Sequence, residues 1–174
     1  MEIEKVIIAV VGPPNTGKSS AIMQLVKRFS LLGGFHQEHP KEPEEPKNDA
    51  VGWGLFISER TSNQVKLGIC STGDSKSILE EYLKPLIDEQ HCDIIVVACH
   101  NYQERESNTL YYIATLAKEY GYRLLSTSII RDESINRMSI TGWADKGSNS
   151  IDENVKVLNE IFADNLSHTI TTLI

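Results

Sequence analysis

Cysteines, basic clusters and long apolar runs are all scarce in this chain of 174 residues, and each scarcity excludes a class of protein. The three cysteines, Cys70, Cys92 and Cys99, lack the spacing of a metal cluster, and their odd number argues against a disulfide framework. The net charge is −7 without a dense basic stripe, so binding to nucleic acid or to an anionic membrane is not expected. No apolar run approaches the about 18–20 residues that a membrane-spanning helix needs.

The residues that are present suit a globular domain. Hydrophobic residues make up 40% of the chain and charged residues 24%, a balance that supports one core over residues 1–174. The opening stretch, MEIEKVIIAV, contains two acids and no basic region, so a secretory signal is not expected. Because the cysteines also show no disulfide pattern, we expect a single domain in the cytoplasm.

The stretch VVGPPNTGKSS, residues 10–20, carries the strongest functional signal. Gly12, Gly17, Lys18 and Ser19 match G-x-x-x-x-G-K-[ST] at every fixed position. By average composition, four such positions match by chance in well under about 1% of chains of this length. A strand-like run, KVIIAVVG, precedes the loop, and a run with helical spacing follows it. This context predicts a loop that binds the phosphates of a nucleotide.

Each fixed position of the motif has a physical role. Gly12 and Gly17 let the backbone bend until successive N–H groups point at one anion, and the positive end of the helix dipole adds to them. Lys18 can bridge the β- and γ-phosphates, and the Ser19 hydroxyl can ligate magnesium. Asn15 stands where a positive φ is expected, which asparagine tolerates better than most residues.

On these residues the chain resembles the P-loop NTPase superfamily. The segment GPPNTGKS is similar to the G-P-P-x-x-G-K-[ST] loops of adenylate-kinase-like enzymes and of ATPases of the AAA+ type. The resemblance implies ATP with Mg²⁺ as the ligand. It also implies which residues line the phosphates: Gly12, Asn15, Thr16, Gly17, Lys18, Ser19 and Ser20.

Strand-like and helical segments alternate along the rest of the chain, which predicts a three-layer α/β domain of the P-loop NTPase fold with a mostly parallel sheet. The strand order expected from crossover handedness is 2-3-1-4-5, with the second strand antiparallel at one edge. The proline-rich stretch 35–50 is predicted to be an exposed loop. The five strands are predicted near residues 5–12, 51–58, 64–71, 92–100 and 122–130.

The acid that would complete a magnesium site is not fixed by the motif. Asp74, in GICSTGDS, follows a strand in a placement similar to the D-x-x-G switch of GTPases, although Cys70 stands where that aspartate would be. The alternative is that Asp74 caps the following helix. Asp93 lies at the amino-terminal end of its strand, and we interpret it as part of a strand-start turn. Asp74 and Ser19 are therefore the predicted magnesium ligands.

Two functions from different classes remain open. The first is a small P-loop kinase that moves the ATP γ-phosphoryl group to a small molecule or nucleotide held beneath the 36–50 loop. Lys18 and Asp74 would act on the phosphates and magnesium, and Arg131 or Arg137 would stabilise the transferring group. The ATP-type loop, the chain length and the late arginines favour this function.

The second function is a nucleotide-dependent switch, a regulatory ATPase or GTPase-like protein, that binds a protein partner through the 36–50 loop. The missing standard magnesium acid favours it, and so does the β-hairpin predicted from the strand-like runs at 51–58 and 64–71. The chain contains no N-K-x-D sequence that could read guanine, which argues against GTP.

Four other residues carry weaker signals. His36 and His39 have H-x-x-H spacing, but no cysteine lies near them, so we interpret them as solvated histidines rather than metal ligands. Trp53 and Trp143 are interpreted as packing residues, with stacking on a nucleotide base as the alternative.

Overall fold

A computed structural model describes residues 4–13, 17–39, 50–100, 108–128, 131–132, 137–138 and 151–173. The helices are α1 (Lys18–Arg28), α2 (Lys76–Asp88), α3 (Thr109–Tyr120) and α4 (Ile151–Leu173). In these ranges no helix has both the length and the apolarity to cross a membrane. The strands are β1 (Val6–Val11), β2 (Leu32–His39), β3 (Val51–Ile57), β4 (Gln64–Cys70), β5 (Ile94–Cys99), β6 (Arg123–Ser128), β7 (Arg131–Asp132) and β8 (Arg137–Met138).

Six strands form one mixed sheet in the order β2-β3-β4-β5-β1-β6, and β7 pairs with β8 in a separate two-stranded ribbon. Strands β4, β5, β1 and β6 are parallel, whereas β3 runs antiparallel to both of its neighbours. The α/β class and the antiparallel edge region predicted from the sequence are confirmed.

The predicted strand order 2-3-1-4-5 is wrong at its centre. The fourth predicted strand, β5, lies between β4 and β1, so the third and first predicted strands are not neighbours. Handedness fixes the direction of a crossover but not how many strands it passes over. The two strands that exchange places, β1 and β5, are both buried at every residue, so their apolar composition suits either position.

The edge of the sheet also differs from the prediction. The edge strand is β2, which covers residues 32–39 and therefore takes up the first part of the stretch predicted as a loop. Gly33 and Gly34 have φ of 76° and 86°, and the pairing of β2 with β3 shifts register there. Edge strands tolerate polar residues, because one side of their backbone has no neighbouring strand and faces solvent. The polar composition of this stretch was therefore compatible with a strand as well as with a loop.

Helices cover both faces of the sheet, which gives the predicted three layers. On one face, alternate residues of β1 pack with α1 and α4 through Ile22, Leu25 and Phe162. On the other face, the intervening residues of β1 pack with α2 and α3 through Leu79, Leu83 and Ile113. Each of these side chains is at most 3% exposed, so each contributes the full apolar burial of a core residue, about 1.5–3 kcal/mol.

The carboxyl ends of the parallel strands meet at one edge of the sheet. The last residues of β1, β5 and β6 lie side by side, with Val11 opposite Cys99 and Ser128. Helix α1 begins at this edge, because the loop after β1 leads directly into Lys18. Ligands of open α/β sheets bind at this edge. The residues that follow β1, β4 and β5 are therefore candidates for a binding site.

Candidate functional site

The glycine loop, residues 12–19, joins the end of β1 to the start of α1. Its first residue, Gly12, donates its backbone N–H to the carbonyl of Cys99 in β5 at 3.2 Å. Gly17 is the N-cap of α1 with φ of 83°, in the left-handed region that favours glycine. Gly17 has no side chain to cap the helix, and the first turn of α1 holds no acid. The N-terminal N–H groups and dipole of α1 therefore suit an anion.

Lys18 is the buried cation of the loop, with 6% of its surface exposed. Its Nζ donates hydrogen bonds to the carbonyl oxygens of Gly12 at 2.9 Å and Pro13 at 2.7 Å. Burial lowers the pKa of Lys18, and the negative charge of Asp74 opposes this effect. Since the ammonium is desolvated and bonded to neutral carbonyl groups, a further negative charge at the loop would stabilise it.

Ser19 connects α1 to the end of β4. Its hydroxyl donates to the carbonyl of Ser71 at 2.7 Å. Ser71 in turn exchanges two hydrogen bonds with Ala50, through its N–H at 3.0 Å and its hydroxyl at 2.6 Å. The Ser19 hydroxyl is therefore held at the carboxyl edge of the sheet, next to the residues that follow β4.

The turn after β4 carries Asp74 to the same edge. A Cβ atom at Gly73 would lie 1.7 Å from the carbonyl oxygen of Ala98, so only glycine allows the turn to sit so close to β5. The Asp74 carboxylate is 75% exposed, and its Oδ1 lies within hydrogen-bond distance of Nε2 of the buried His100 ring. The N-cap of α2 is Ser75, whose hydroxyl accepts from the N–H of Ile78. Ser75, rather than Asp74, caps the helix, which removes the main structural alternative for Asp74.

His100 follows β5 directly and belongs to this site, although the sequence analysis did not select it. Its Nδ1 lies 2.8 Å from the carbonyl oxygen of Gly12, and its Nε2 lies 2.7 Å from Oδ1 of Asp74. The available signal was positional: a polar side chain immediately after a fully apolar strand lies at the ligand edge of a parallel sheet. One histidine at the end of CDIIVVACH gave no motif to support that interpretation.

The structure therefore brings together Gly12, Gly17, Lys18, Ser19 and Asp74, with Ser20 in the first turn of α1. Asn15 and Thr16 lie outside the described residues, as do Trp143 and most of the 36–50 stretch. Arg131 and Arg137 lie on the β7–β8 ribbon, where Arg137 pairs with Asp132 across the strands. Only the backbone of this ribbon is described, so the roles of both arginines remain predictions.

Trp53 and His36 pack together on the paired strands β3 and β2. The ring centroids of Trp53 and His36 are 4.2 Å apart, and Lys66 Nζ lies 3.8 Å from the Trp53 centroid. His36 and Lys66 come from the two strands that flank β3, and the indole N–H donates to Glu38 of β2 at 3.2 Å, so three residues of the chain itself contact the indole. Asp93 accepts the N–H of Lys66 at 2.8 Å, which confirms its place in a strand-start turn.

Among the described residues, no group of three or more His, Cys, Asp or Glu side chains is placed to hold a metal ion. Magnesium at nucleotide sites, however, uses only one or two protein oxygens together with phosphate oxygens and water. Ser19 and Asp74 supply a hydroxyl and a carboxylate, the oxygen ligands that this hard cation prefers. The residues present therefore fit a nucleotide-dependent magnesium site.

A groove of about 510 Å³ lies at the other edge of the sheet, where the parallel strands begin. It is lined by the end of α1, the turn between β3 and β4, and α4. Its two arginines contact α4: Arg28 bonds Asp164 and the Glu160 carbonyl, and Arg60 bonds the Thr172 carbonyl. These contacts fasten α4 to the rest of the domain.

The chain matches no protein-family model, and a search of curated proteins finds no significant similarity.

Proposed function

We propose that the chain binds MgATP through the glycine loop and transfers the γ-phosphoryl group to a small acceptor. One observation carries the proposal: Lys18, Ser19 and Asp74 converge at the N-terminus of α1, on the ligand edge of a parallel sheet. The buried Lys18 ammonium gains an anionic partner when the β- and γ-phosphates bind. The chain thus belongs, on this proposal, with the P-loop kinases that its loop resembles.

The chemistry follows from this arrangement. The acceptor oxygen forms a bond to the γ-phosphorus while the bond to the β–γ bridging oxygen breaks, and ADP leaves with that electron pair; the acceptor proton passes to water. Ser19 and Asp74 would hold magnesium, which neutralises charge on the phosphate oxygens when it is bound. Lys18 stabilises the charge that develops on the leaving phosphate, and Arg131 or Arg137 would act on the transferring group.

A second candidate, the nucleotide-dependent switch, has an observation of its own. The chain on either side of residues 40–49 lies at the glycine-loop edge, where His39, the last residue of β2, pairs with Val51, the first residue of β3. Ala50 bonds Ser71, whose carbonyl accepts the Ser19 hydroxyl. An acidic, proline-rich segment attached there could respond to the phosphates and bind a partner, or it could cover a phosphoryl acceptor.

Calorimetry tests the ligand first. ATP should bind with magnesium, and Lys18→Ala should weaken binding at least about tenfold, because a charge-assisted phosphate contact is lost. Lys27→Ala is the matched control: Lys27 is an exposed lysine in the last turn of the same helix, and its removal should change nothing. GTP binding equal to or tighter than ATP binding would contradict the choice of nucleotide.

Incubation with γ-labelled ATP and a panel of nucleosides, nucleotides and small metabolites tests the reaction. A labelled acceptor that appears with the wild type and not with Lys18→Ala supports the kinase. Label that stays in ATP, or is released only as phosphate, across the whole panel favours the switch.

A further inference from the structure

The ring of His100 forms a bridge between the glycine loop and Asp74. Its Nδ1 is 2.8 Å from the Gly12 carbonyl oxygen, and its Nε2 is 2.7 Å from Oδ1 of Asp74. The His100 side chain is 3% exposed, whereas that of Asp74 is 75% exposed. A buried ring thus fixes one end of an otherwise solvent-exposed carboxylate.

The two ring nitrogens face two oxygen atoms, the Gly12 carbonyl oxygen at Nδ1 and Oδ1 of Asp74 at Nε2. A planar ring that contacts both oxygens holds them at a set separation. The bridge therefore links the position of Asp74 to the backbone of the glycine loop.

The backbone of His100 is itself firmly held. Its N–H donates to the Thr109 hydroxyl at 2.8 Å, and its carbonyl accepts from the Leu110 N–H at 3.1 Å, at the start of α3. Ala98, two residues earlier, contacts Gly73 so closely that the Asp74 turn has no freedom on that side. The ring and the turn are thus both located by β5.

We propose that His100 is a positioning residue that holds Asp74 beside the glycine loop, in the place where the carboxylate ligates nucleotide-bound magnesium. The inference rests on the proposed function, because it assigns His100 a role toward the magnesium of that site. Outer partners of metal ligands typically contribute about 10–100-fold to metal affinity by fixing the orientation of the ligand.

Two amide substitutions separate the two hydrogen bonds. The amide of asparagine reaches about as far as Nδ1, so His100→Asn retains a donor for Gly12 and loses the contact with Asp74. The longer amide of glutamine reaches about as far as Nε2, so His100→Gln retains a donor for Asp74. His168→Asn and His168→Gln, at an exposed position of α4, are the matched controls.

The readout is the ratio of ATP affinities with and without magnesium, measured by calorimetry for each variant. His100→Asn should lower this ratio about tenfold, as Asp74→Asn does, whereas His100→Gln should keep it within about threefold of the wild type. A purely structural role would weaken ATP binding equally with and without magnesium and would leave the ratio unchanged. That result would overturn the inference while the proposed function stands.

One further outcome of the calorimetry concerns the wild type. If wild-type protein binds ATP with no dependence on magnesium, the proposed function and this inference both fail.

The contact between His100 and Asp74 is tested without any nucleotide by a double-mutant cycle in urea unfolding. His100→Asn and Asp74→Asn should be non-additive if the bridge exists, and additive effects would contradict it.

Discussion

Gly73→Ala is the substitution whose effect follows most directly from the coordinates. The new Cβ would lie 1.7 Å from the Ala98 carbonyl oxygen, whereas such atoms are essentially never closer than 3.0 Å. Ala98 cannot move away easily, because β5 pairs with β4 on one side and with β1 on the other. The turn at Gly73 must therefore shift by about 1.3 Å, the difference between the two distances. A shift of this size breaks the 2.7 Å contact between Asp74 and His100.

We expect this strain to cost about 1–3 kcal/mol, as overpacked sites do, and to lower the Tm by about 2–12 °C. The affinity for MgATP should fall about tenfold, since Asp74 is displaced from its partner. Gly121→Ala is the control: a Cβ there has open space, and the cost comes only from its φ of 73° at the end of α3. This control should lower the Tm and leave ATP affinity unchanged. A Gly73→Ala protein with wild-type Tm and wild-type MgATP affinity would refute the reasoning.

Three other predictions concern charge and burial. Lys18→Met should raise the Tm by about 2–4 °C in the absence of nucleotide, because it removes a desolvated charge. The pKa of Lys18 is lower in the folded chain than the ordinary 10.5, so the stability of the wild type rises with pH between these two values. The difference in Tm between Lys18→Met and the wild type should therefore shrink over this pH range in pH-dependent calorimetry. Burial raises the pKa of Cys92 and Cys99 to about 12, so a thiol reagent at pH 8 should modify them only after unfolding. Asp164→Asn should cost less than about 0.5 kcal/mol in urea unfolding, because the carboxylate that pairs with Arg28 is 68% exposed.

Local features of the chain could be predicted from the sequence. The glycine loop depends on residues adjacent in the chain, and Gly17 adopts the left-handed φ that its place in the motif requires. The helices carry clear periodicity and the central strands are unbroken apolar runs, and their apolar residues form the two cores that cover the sheet. The position of Asp74 at the ligand edge was also accessible, because it depends only on which strand precedes it.

Features that depend on tertiary pairing could not be predicted in the same way. The place of β5 between β4 and β1 depends on how many strands each crossover passes over, which handedness does not determine. The polar edge strand β2 has no periodic apolar face, so its composition indicated a loop. His100 acquires its role only because β5 carries it to the Gly12 carbonyl, 88 residues away along the chain.

The measurement that tests the central claim most directly is the change in backbone amide NMR shifts when MgATP is added to the ¹⁵N-labelled protein. We predict the largest changes at Gly12, Gly17, Lys18 and Ser19, with smaller ones at Asp74, because the phosphates are expected at the N-terminus of α1. The account is contradicted if the largest shift changes occur instead at the opposite edge of the sheet, in the groove lined by the end of α1 and the β3–β4 turn. That result would mean that the nucleotide binds there and not at the glycine loop.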